Sequence, residues 1–414
     1  MGNFFSDPVE QALEYIYYNE RAGRGREGVE LLGKADLQGD GDADCILARC
    51  LCGSEYVWSG HGFPVKKKEA TKMLRRSVER GSQIGVLVAL HNGELSLEQT
   101  PISSLQDAFA IVLEKAEGGD AFCQYMIGNV YFERDFLQIE GKNEDSFDIP
   151  VEYKDYLREN ISKCEEWFQR AFEGGMHLAA NNLNRFYLQG DGDIILPQPE
   201  KAQELWKTGA ERGYPCHQYI YAQELAKAGQ KEEAFEWFKQ AAEGGEPYAW
   251  YEVGRVYLEG DGVEQDAAYA CQCFEKELPW RHVASYNLLG KAYFEGDGVE
   301  QDYEKAFRLL QFAYEESNKG NRKNNWGVYF LGKCYFEGWG TEQDYVKARQ
   351  FLEQMDWEYE DAYYMLGVIY ARGRGVQEDI KKGVTLLQKA GTHLGAQEEL
   401  LRYRKTLFGR WVRR

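Results

Sequence analysis

Few stretches of this chain combine residue types and spacing that could carry chemistry. Gly327 to Gly332-Lys333-Cys334 has the spacing of a phosphate-binding loop, where glycine amides and a lysine cradle phosphates and a final Ser or Thr holds magnesium. Here the final residue is Cys334, and the string lies inside a stretch of helical period rather than in a loop after a strand. Asp40-Gly41-Asp42-Ala43-Asp44 has the alternating acids of a calcium loop. That loop also needs a sixth-position Gly and a twelfth-position Glu, and Cys45 and Leu51 stand there; the stretch reads as a turn feeding a helix. Lys66 to Lys68 read as a solvated helix start. Cys271 and Cys273 are one residue apart on a helix, a poor geometry for a shared metal. No His-Glu-x-x-His, Gly-x-Ser-x-Gly or Ser-x-x-Lys string occurs, so common metal and acyl-transfer settings are missing. No catalytic residue is assigned, and no metal or cofactor is expected.

What the chain does carry is a repeated scaffold. In residues 246–282, Trp250, Val253, Gly254 and Tyr257 fall at i, i+3, i+4 and i+7, one face of a helix. Gly260 and Gly262 then stop that helix, and Asp266 is placed to cap the next one, which carries Ala270 and Phe274. The unit is helix, glycine turn, helix. It recurs as Leu289-Gly290, Tyr293, Gly296-Asp297-Gly298 and Asp302; as Leu331-Gly332, Tyr335, Gly338-Trp339-Gly340 and Asp344; and as Leu366-Gly367, Tyr370, Gly373-Arg374-Gly375 and Asp379. Equivalent glycines are about 36 residues apart, with one step of about 42, the range of helical-hairpin solenoids.

The Leu-Gly-x-x-Tyr, Gly-x-Gly-Val-x-x-Asp and Lys-Ala elements resemble the Sel-1-like repeat family, relatives of the tetratricopeptide repeats. The resemblance implies an all-α fold: an α-solenoid, wound as a right-handed superhelix, of about ten helix-turn-helix repeats with a C-terminal capping helix. It implies a scaffold or adaptor for other proteins, and no catalysis by itself. Some relatives are secreted, cysteine-rich proteins of penicillin-binding or β-lactamase type with a disulfide in each repeat. The nine cysteines here have no regular spacing, which sets hydrolase activity behind the scaffold reading.

Composition agrees with a solenoid. Glycine reaches 44 of 414 residues, largely through the turns, and proline only 9. The formal net charge of −19 argues against a nucleic-acid partner, whose binding rests on phosphate neutralisation. No apolar run is long enough to span a bilayer, and Met1 to Asp7 has neither the basic nor the apolar part of a secretory leader. Free thiols in a reducing, cytoplasmic setting are expected. Met1-Gly2-Asn3-Phe4-Phe5-Ser6 fits a myristoylation pattern, read as a chance match.

The expected repeats span 7–39, 42–81, 82–119, 120–175, 176–213, 214–245, 246–282, 283–322, 325–360 and 361–391, one continuous array over 1–391. In the first, Gly23 and Gly25 mark the turn. The fourth carries an insertion over 133–163, whose later part (Val151 to Lys163) extends its second helix and whose earlier part is a candidate partner contact. A polar insert, Asn318 to Asn325, separates the eighth and ninth. Over 392–414, Gln397 to Leu407 is expected to form the terminal helix. The basic tail 402–414 either docks on acidic body surface or recruits the chain to an anionic membrane or partner.

In tetratricopeptide-like solenoids the first helix of each hairpin lines the concave face, with contact residues two before the Leu and one after the Gly. Applied from the fourth repeat onward, this count gives Tyr125, Asn181, Tyr219, Tyr251, Asn287, Tyr329 and Tyr364, then Asn129, Arg185, Gln223, Arg255, Lys291, Lys333 and Val368. The candidate peptide-binding set is Asn129, Asn181, Arg185, Tyr251, Arg255, Asn287, Lys291, Tyr329, Lys333 and Tyr364. Asn with Arg or Lys can clamp backbone amides and carboxylates of an extended peptide. Against this stands the reading that the cations pair with Glu259, Glu295 and Glu337 and that the tyrosines pack between repeats. The expected partner is a protein or extended peptide; a membrane partner is not expected, and the sequence does not define the oligomeric state.

Overall fold

The computed structural model describes residues 4–18, 24–53, 56–98, 100–319, 325–355 and 359–414. Among them the chain is an all-α helical-repeat solenoid with one short terminal hairpin of strands. The myristoylation pattern at Met1–Asn3, the turn glycine Gly23 and residues 320–324 of the polar insert fall outside the described residues.

The glycine turns of the C-terminal repeats share one set of backbone hydrogen bonds. Gly260 and Gly262 take φ of 69° and 81°, and Gly338 and Gly340 take 80° and 69°, values open to glycine without strain. The amides of Asp266, Asp302, Asp344 and Asp379 donate to the carbonyls of Tyr257, Tyr293, Tyr335 and Tyr370 at 2.8–3.0 Å. The aspartate side chains cap the second helices: Asp266 accepts from the Tyr269 amide at 2.8 Å, and Asp344 from the Val346 and Lys347 amides at 3.0 Å. The preceding glutamine closes the first helix. Gln265, Gln301 and Gln343 donate to the carbonyls of Leu258, Phe294 and Phe336 at 2.7–2.9 Å, satisfying acceptors that a helix end leaves open. The Gln-Asp pair therefore caps both helices of a hairpin.

Two close approaches explain the remaining motif residues. A Cβ built at Gly332 would lie 2.7 Å from Cγ of Leu352, and one at Gly340 would lie 2.0 Å from the Tyr303 carbonyl oxygen. The first glycine lets the two helices of a hairpin touch; the second lets one hairpin seat on the hairpin before it.

The chain divides into two compact units, residues 1–249 and 250–414. In the N-terminal unit the hairpins are Gly41–Cys52 with Lys67–Glu79, Gln83–His91 with Leu105–Glu117, Ala121–Phe132 with Pro150–Glu173, His177–Gln189 with Pro199–Glu211, and Pro215–Lys227 with Lys231–Glu243. Pro150–Glu173 runs 24 residues, so the later part of the insertion extends that helix. Its earlier part folds as a short helix, Phe136–Glu140, that buries Phe136 and Ile139. The first repeat departs from the expected form. Gly25 lies inside the helix Arg24–Leu37 instead of in a turn, packed where a Cβ would strike the His61 ring at 2.5 Å. The helix before it, Asp7–Leu13, continues as a π-helical turn, Glu14–Tyr18.

That π-helical turn packs into the unit. The Tyr17 and Phe122 rings lie 5.1 Å apart, Phe5 and Phe122 6.1 Å, and the Ile16 carbonyl is 2.8 Å from Nε2 of His61. One apolar core runs from Phe5 to Ala202. Within this unit the first helices of successive hairpins lie nearer one another than the second helices do, and the π-helical turn touches the first helix of the fifth hairpin.

In the C-terminal unit the helices are Ala267–Glu277, Val283–Glu295, Tyr303–Lys319, Asn325–Glu337, Tyr345–Leu352, Glu360–Arg372 and Ile380–Lys389, after the helix Ala249–Glu259 that begins at the boundary. The terminal helix is Leu394–Leu400, earlier and shorter than the expected 397–407. Residues 403–405 instead pair with 411–413 as an antiparallel hairpin, Tyr403 opposite Arg413. Tyr403 is buried at 3% exposure, and its hydroxyl donates to Glu399 at 3.1 Å. Anchoring this aromatic requires an extended backbone, and the Thr406–Gly409 turn, with φ of 73° at Gly409, reverses the chain.

Candidate functional site

Three of the ten candidate residues, Asn129, Asn181 and Arg185, come together in the N-terminal unit. They line a cleft of about 360 Å³ together with Arg49, Leu87, His91, Tyr125, Met126, Asp135, Leu178 and Asn182. Its walls come from the first helices of the second to fifth hairpins, and its rim from the start of the insertion, which supplies Glu133 and Asp135.

Three pairs of polar groups meet at the rim. Asn182 donates to the Asn129 side-chain oxygen at 2.6 Å. Arg185 pairs with Glu133 and lies over the Phe132 ring at 4.3 Å. His91 Nδ1 lies 3.4 Å from an Asp135 oxygen. The hydrogen bond to Asp135 raises the His91 pKa above its ordinary value, against the effect of partial burial. Among the described lining residues there is no Ser, Thr, Cys or Lys that His91 could activate as a nucleophile.

Arg49 forms the floor, and the sequence count missed it. It is 3% exposed. Its Nε donates to the Tyr17 hydroxyl at 3.0 Å and its Nη2 to the Tyr56 carbonyl at 3.4 Å. Burial opposes its charge, but the surrounding tyrosines, Tyr17 and Tyr125 foremost, hold its pKa above the ordinary value, so it is a cation at any physiological pH. A signal for it was present: Leu47-Ala48 stands where Leu-Gly would be, and the residue one further on is Arg49.

The other seven candidates lie in the C-terminal unit, mostly engaged within it. Arg255 pairs with Glu252 at 3.2 Å and Glu259 at 2.8 Å on its own helix. Lys291 pairs with Glu295 at 3.7 Å. Lys333 donates to Asp361 of the next repeat at 2.8 Å, not to Glu337; Asp361 sits at the start of the following first helix, facing the lysine across the repeat boundary. Tyr329 donates to the same Asp361 oxygen at 2.5 Å. Tyr364 stacks on His393 at 4.4 Å, Tyr251 meets His282 edge-on at 4.6 Å, and Asn287 is buried at 8% exposure. Among the described residues no group of three or more His, Cys, Asp or Glu could hold a metal ion, all nine cysteines are free, and no helix is long and apolar enough to cross a membrane.

The Sel1 repeat family model matches residues 154–176, 177–214, 220–246, 247–276, 283–318, 327–355 and 360–393, a little over half of the chain. The chain belongs to the Sel1 repeat family. Among solved structures it is similar to c5321, a protective antigen of uropathogenic Escherichia coli strains with an SLR fold, at 19% identity and a TM-score of 0.48, covering 95% of this chain and 78% of that one. It is also similar to a Sel1 repeat protein from Oxalobacter formigenes, at 22% identity and a TM-score of 0.45, covering 79% and 88%. Yeast Tom70 matches at 13% identity and a TM-score of 0.29, covering 95% and 93%. Repeat arrays of this family are generally protein–protein interaction scaffolds without catalytic activity.

Proposed function

We propose that this chain is a non-enzymatic adaptor that holds a segment of a partner protein in the cleft of its N-terminal unit. The observation that carries this reading is the convergence of Asn129, Asn181 and Arg185, from two neighbouring hairpins, on one cleft with apolar walls and a cationic floor. A cleft of this size takes one or two residues of a partner, not a long helix, and amide side chains suit a polypeptide backbone. The Tyr, Arg and Lys positions of the C-terminal unit are then a second, more exposed contact surface, not the anchor.

The test is site-specific photocrosslinking from the native cellular lysate, with a photoreactive residue at Asn181 and a control at Leu196, which is 74% exposed on a loop. A defined protein segment captured at 181 and absent at 196 is expected. Equal capture at both positions, or none at 181, overturns the reading.

A second reading is favoured by the C-terminal hairpin. Leu407 and Phe408 are fully exposed at its turn, flanked by Arg404, Lys405 and Arg410. This fits recruitment to an anionic membrane surface. Co-sedimentation with phosphatidylserine vesicles, lost in L407S/F408S, is expected; unchanged co-sedimentation rules it out. Tail docking on the body is supported by Arg413, which pairs with Glu378, and by Arg402, 3.1 Å from Glu399.

A further inference from the structure

We propose that the cleft recognises a carboxylate and that Arg49 is the residue that receives it. The carboxylate is an aspartate or glutamate side chain of the partner segment or its chain terminus. This rests on the reading of the cleft as a segment-binding site.

A guanidinium buried to 3% exposure is ordinarily paired with a carboxylate, because an uncompensated charge in a dry site is costly. Among the described residues Arg49 has no such partner. Its five donors meet a phenol at 3.0 Å, a backbone carbonyl at 3.4 Å and the Met126 sulfur at 3.8 Å, all neutral and the last weak. Four rings, Tyr17, Tyr56, Phe122 and Tyr125, surround it with centroids 5.2–5.8 Å from the guanidinium carbon. Ring faces attract a cation but leave its fork of N–H groups unused. Tyr17, which orients Nε, stands on the π-helical turn Glu14–Tyr18, a rare geometry that recurs at functional sites. Tyr17 therefore reaches Arg49 from an unusual backbone turn.

The charge balance of the lining specifies the ligand. Glu133 is committed to Arg185 and Asp135 to His91. Arg49 is the one guanidinium of the lining that holds no carboxylate among the described residues. A single negative charge with a planar pair of acceptors satisfies it, as in bidentate arginine–carboxylate pairing. A phosphate dianion would need a second free cation, and Arg185, the other arginine of the lining, already holds Glu133. Asn181, on the same lining, offers its amide to the backbone of the bound segment.

The test selects peptides on the full-length chain from a random library displayed with free C-termini. The selected peptides are synthesised with each carboxylate, side-chain and terminal, converted singly to its amide. One conversion is expected to weaken binding at least tenfold on the native chain and less than twofold on R49M. That conversion tells a side chain from a chain terminus. R49K, which keeps the charge but not the fork, is expected to bind at least tenfold more weakly than the native chain. R49M is expected to melt at or above the native temperature, since it removes a buried charge with no counter-ion. Peptides that need Asn129 and Asn181 but tolerate every conversion and R49M overturn the carboxylate and leave the segment-binding reading standing. Failure to select any peptide sensitive to N129A/N181A overturns both. An R49M melting far below the native chain, with binding unchanged in R49K, makes Arg49 a structural residue and also overturns the proposal.

Discussion

The indole N–H of Trp58 donates to the carboxylate of Glu246 at 2.7 Å, across 188 residues of sequence. Neighbour-only packing is the usual rule for helical repeats, and this bond breaks it: the turn of the second hairpin reaches the loop before the seventh. Both groups are buried, at 3% and 7% exposure. W58F removes the donor and keeps most of the ring. A hydrogen bond to a buried charged group contributes about 1.5–3 kcal/mol, so the N-terminal unit is expected to lose about that much. Calorimetry should show its transition shifted down while that of the C-terminal unit stays in place.

The fifth hairpin carries a correctable defect. Asn184 occupies the position that is glycine in the C-terminal repeats, Ala48 in the second hairpin and Ala222 in the sixth. It is 4% exposed, and both ends of its amide lack a hydrogen-bond partner. A buried unsatisfied polar group costs about 1–3 kcal/mol. N184A is therefore expected to stabilise the chain, by about 1 kcal/mol or more once the lost volume is counted, which for a unit of this size raises Tm by about 2–4 °C. An unchanged or lower Tm would mean that the amide has a compensating role.

How much of this was legible depended on how local the cause was. The turn residues act within one hairpin, so Gly260, Gly262 and Asp266 could be read from spacing alone. Asn129, Asn181 and Arg185 share a cleft because the hairpin period carries equivalent positions to one side. Arg49 sits in the same register and was passed over only because the count began at the fourth repeat. The Tyr17–Phe122 contact and the Trp58–Glu246 bond join hairpins that are not neighbours, and no period reports such pairs. The terminal hairpin was misread as helix because Gln397 to Leu407 contains good helix formers. The side chain that decides it, Tyr403, is buried by tertiary packing, its hydroxyl 3.5 Å from the Ala371 carbonyl.

His217 gives the chain an acid limit. It is fully buried, and burial first, then the neighbouring His177, lowers its pKa from 6.5 to about 3. The folded state therefore binds this proton far less readily than the unfolded chain does. Stability from this group is complete above pH 6.5 and falls as the pH drops toward 3. Between pH 7 and pH 5 the loss is about 2 kcal/mol. H217L, close in volume, removes the titration. Urea unfolding at both pH values should show the native chain weakening by about that much more than the variant; equal pH dependence would contradict the assignment.

Lys333 and Arg255 occupy the same repeat position and should not respond alike. Lys333 joins two repeats through Asp361, whose other oxygen lies 3.2 Å from His393 Nε2. Both members of the ion pair are only 22–23% exposed. Burial pushes the Asp361 pKa upward, but the hydrogen bonds from Lys333 and Tyr329 outweigh it and hold the carboxyl below its ordinary value. The pair therefore stabilises the fold above the unfolded aspartate pKa and is lost as the pH falls through the lower, folded one. K333E puts a second carboxylate beside Asp361 and is expected to cost about 3 kcal/mol, the low end of the ~3–5 kcal/mol for breaking a fully buried pair, because both groups keep some solvent. Among the described residues Arg255 bonds to acids on its own helix, and such i, i+3 and i, i+4 pairs contribute about 0.2–0.5 kcal/mol each; R255E should move Tm by a degree or two at most. Thermal melts of the two single variants decide this directly. They also decide how binding data from the C-terminal unit are to be read, because a partner lost in K333E alone reports on a loosened array, whereas a partner lost in folded R255E/K291E reports on a contact surface.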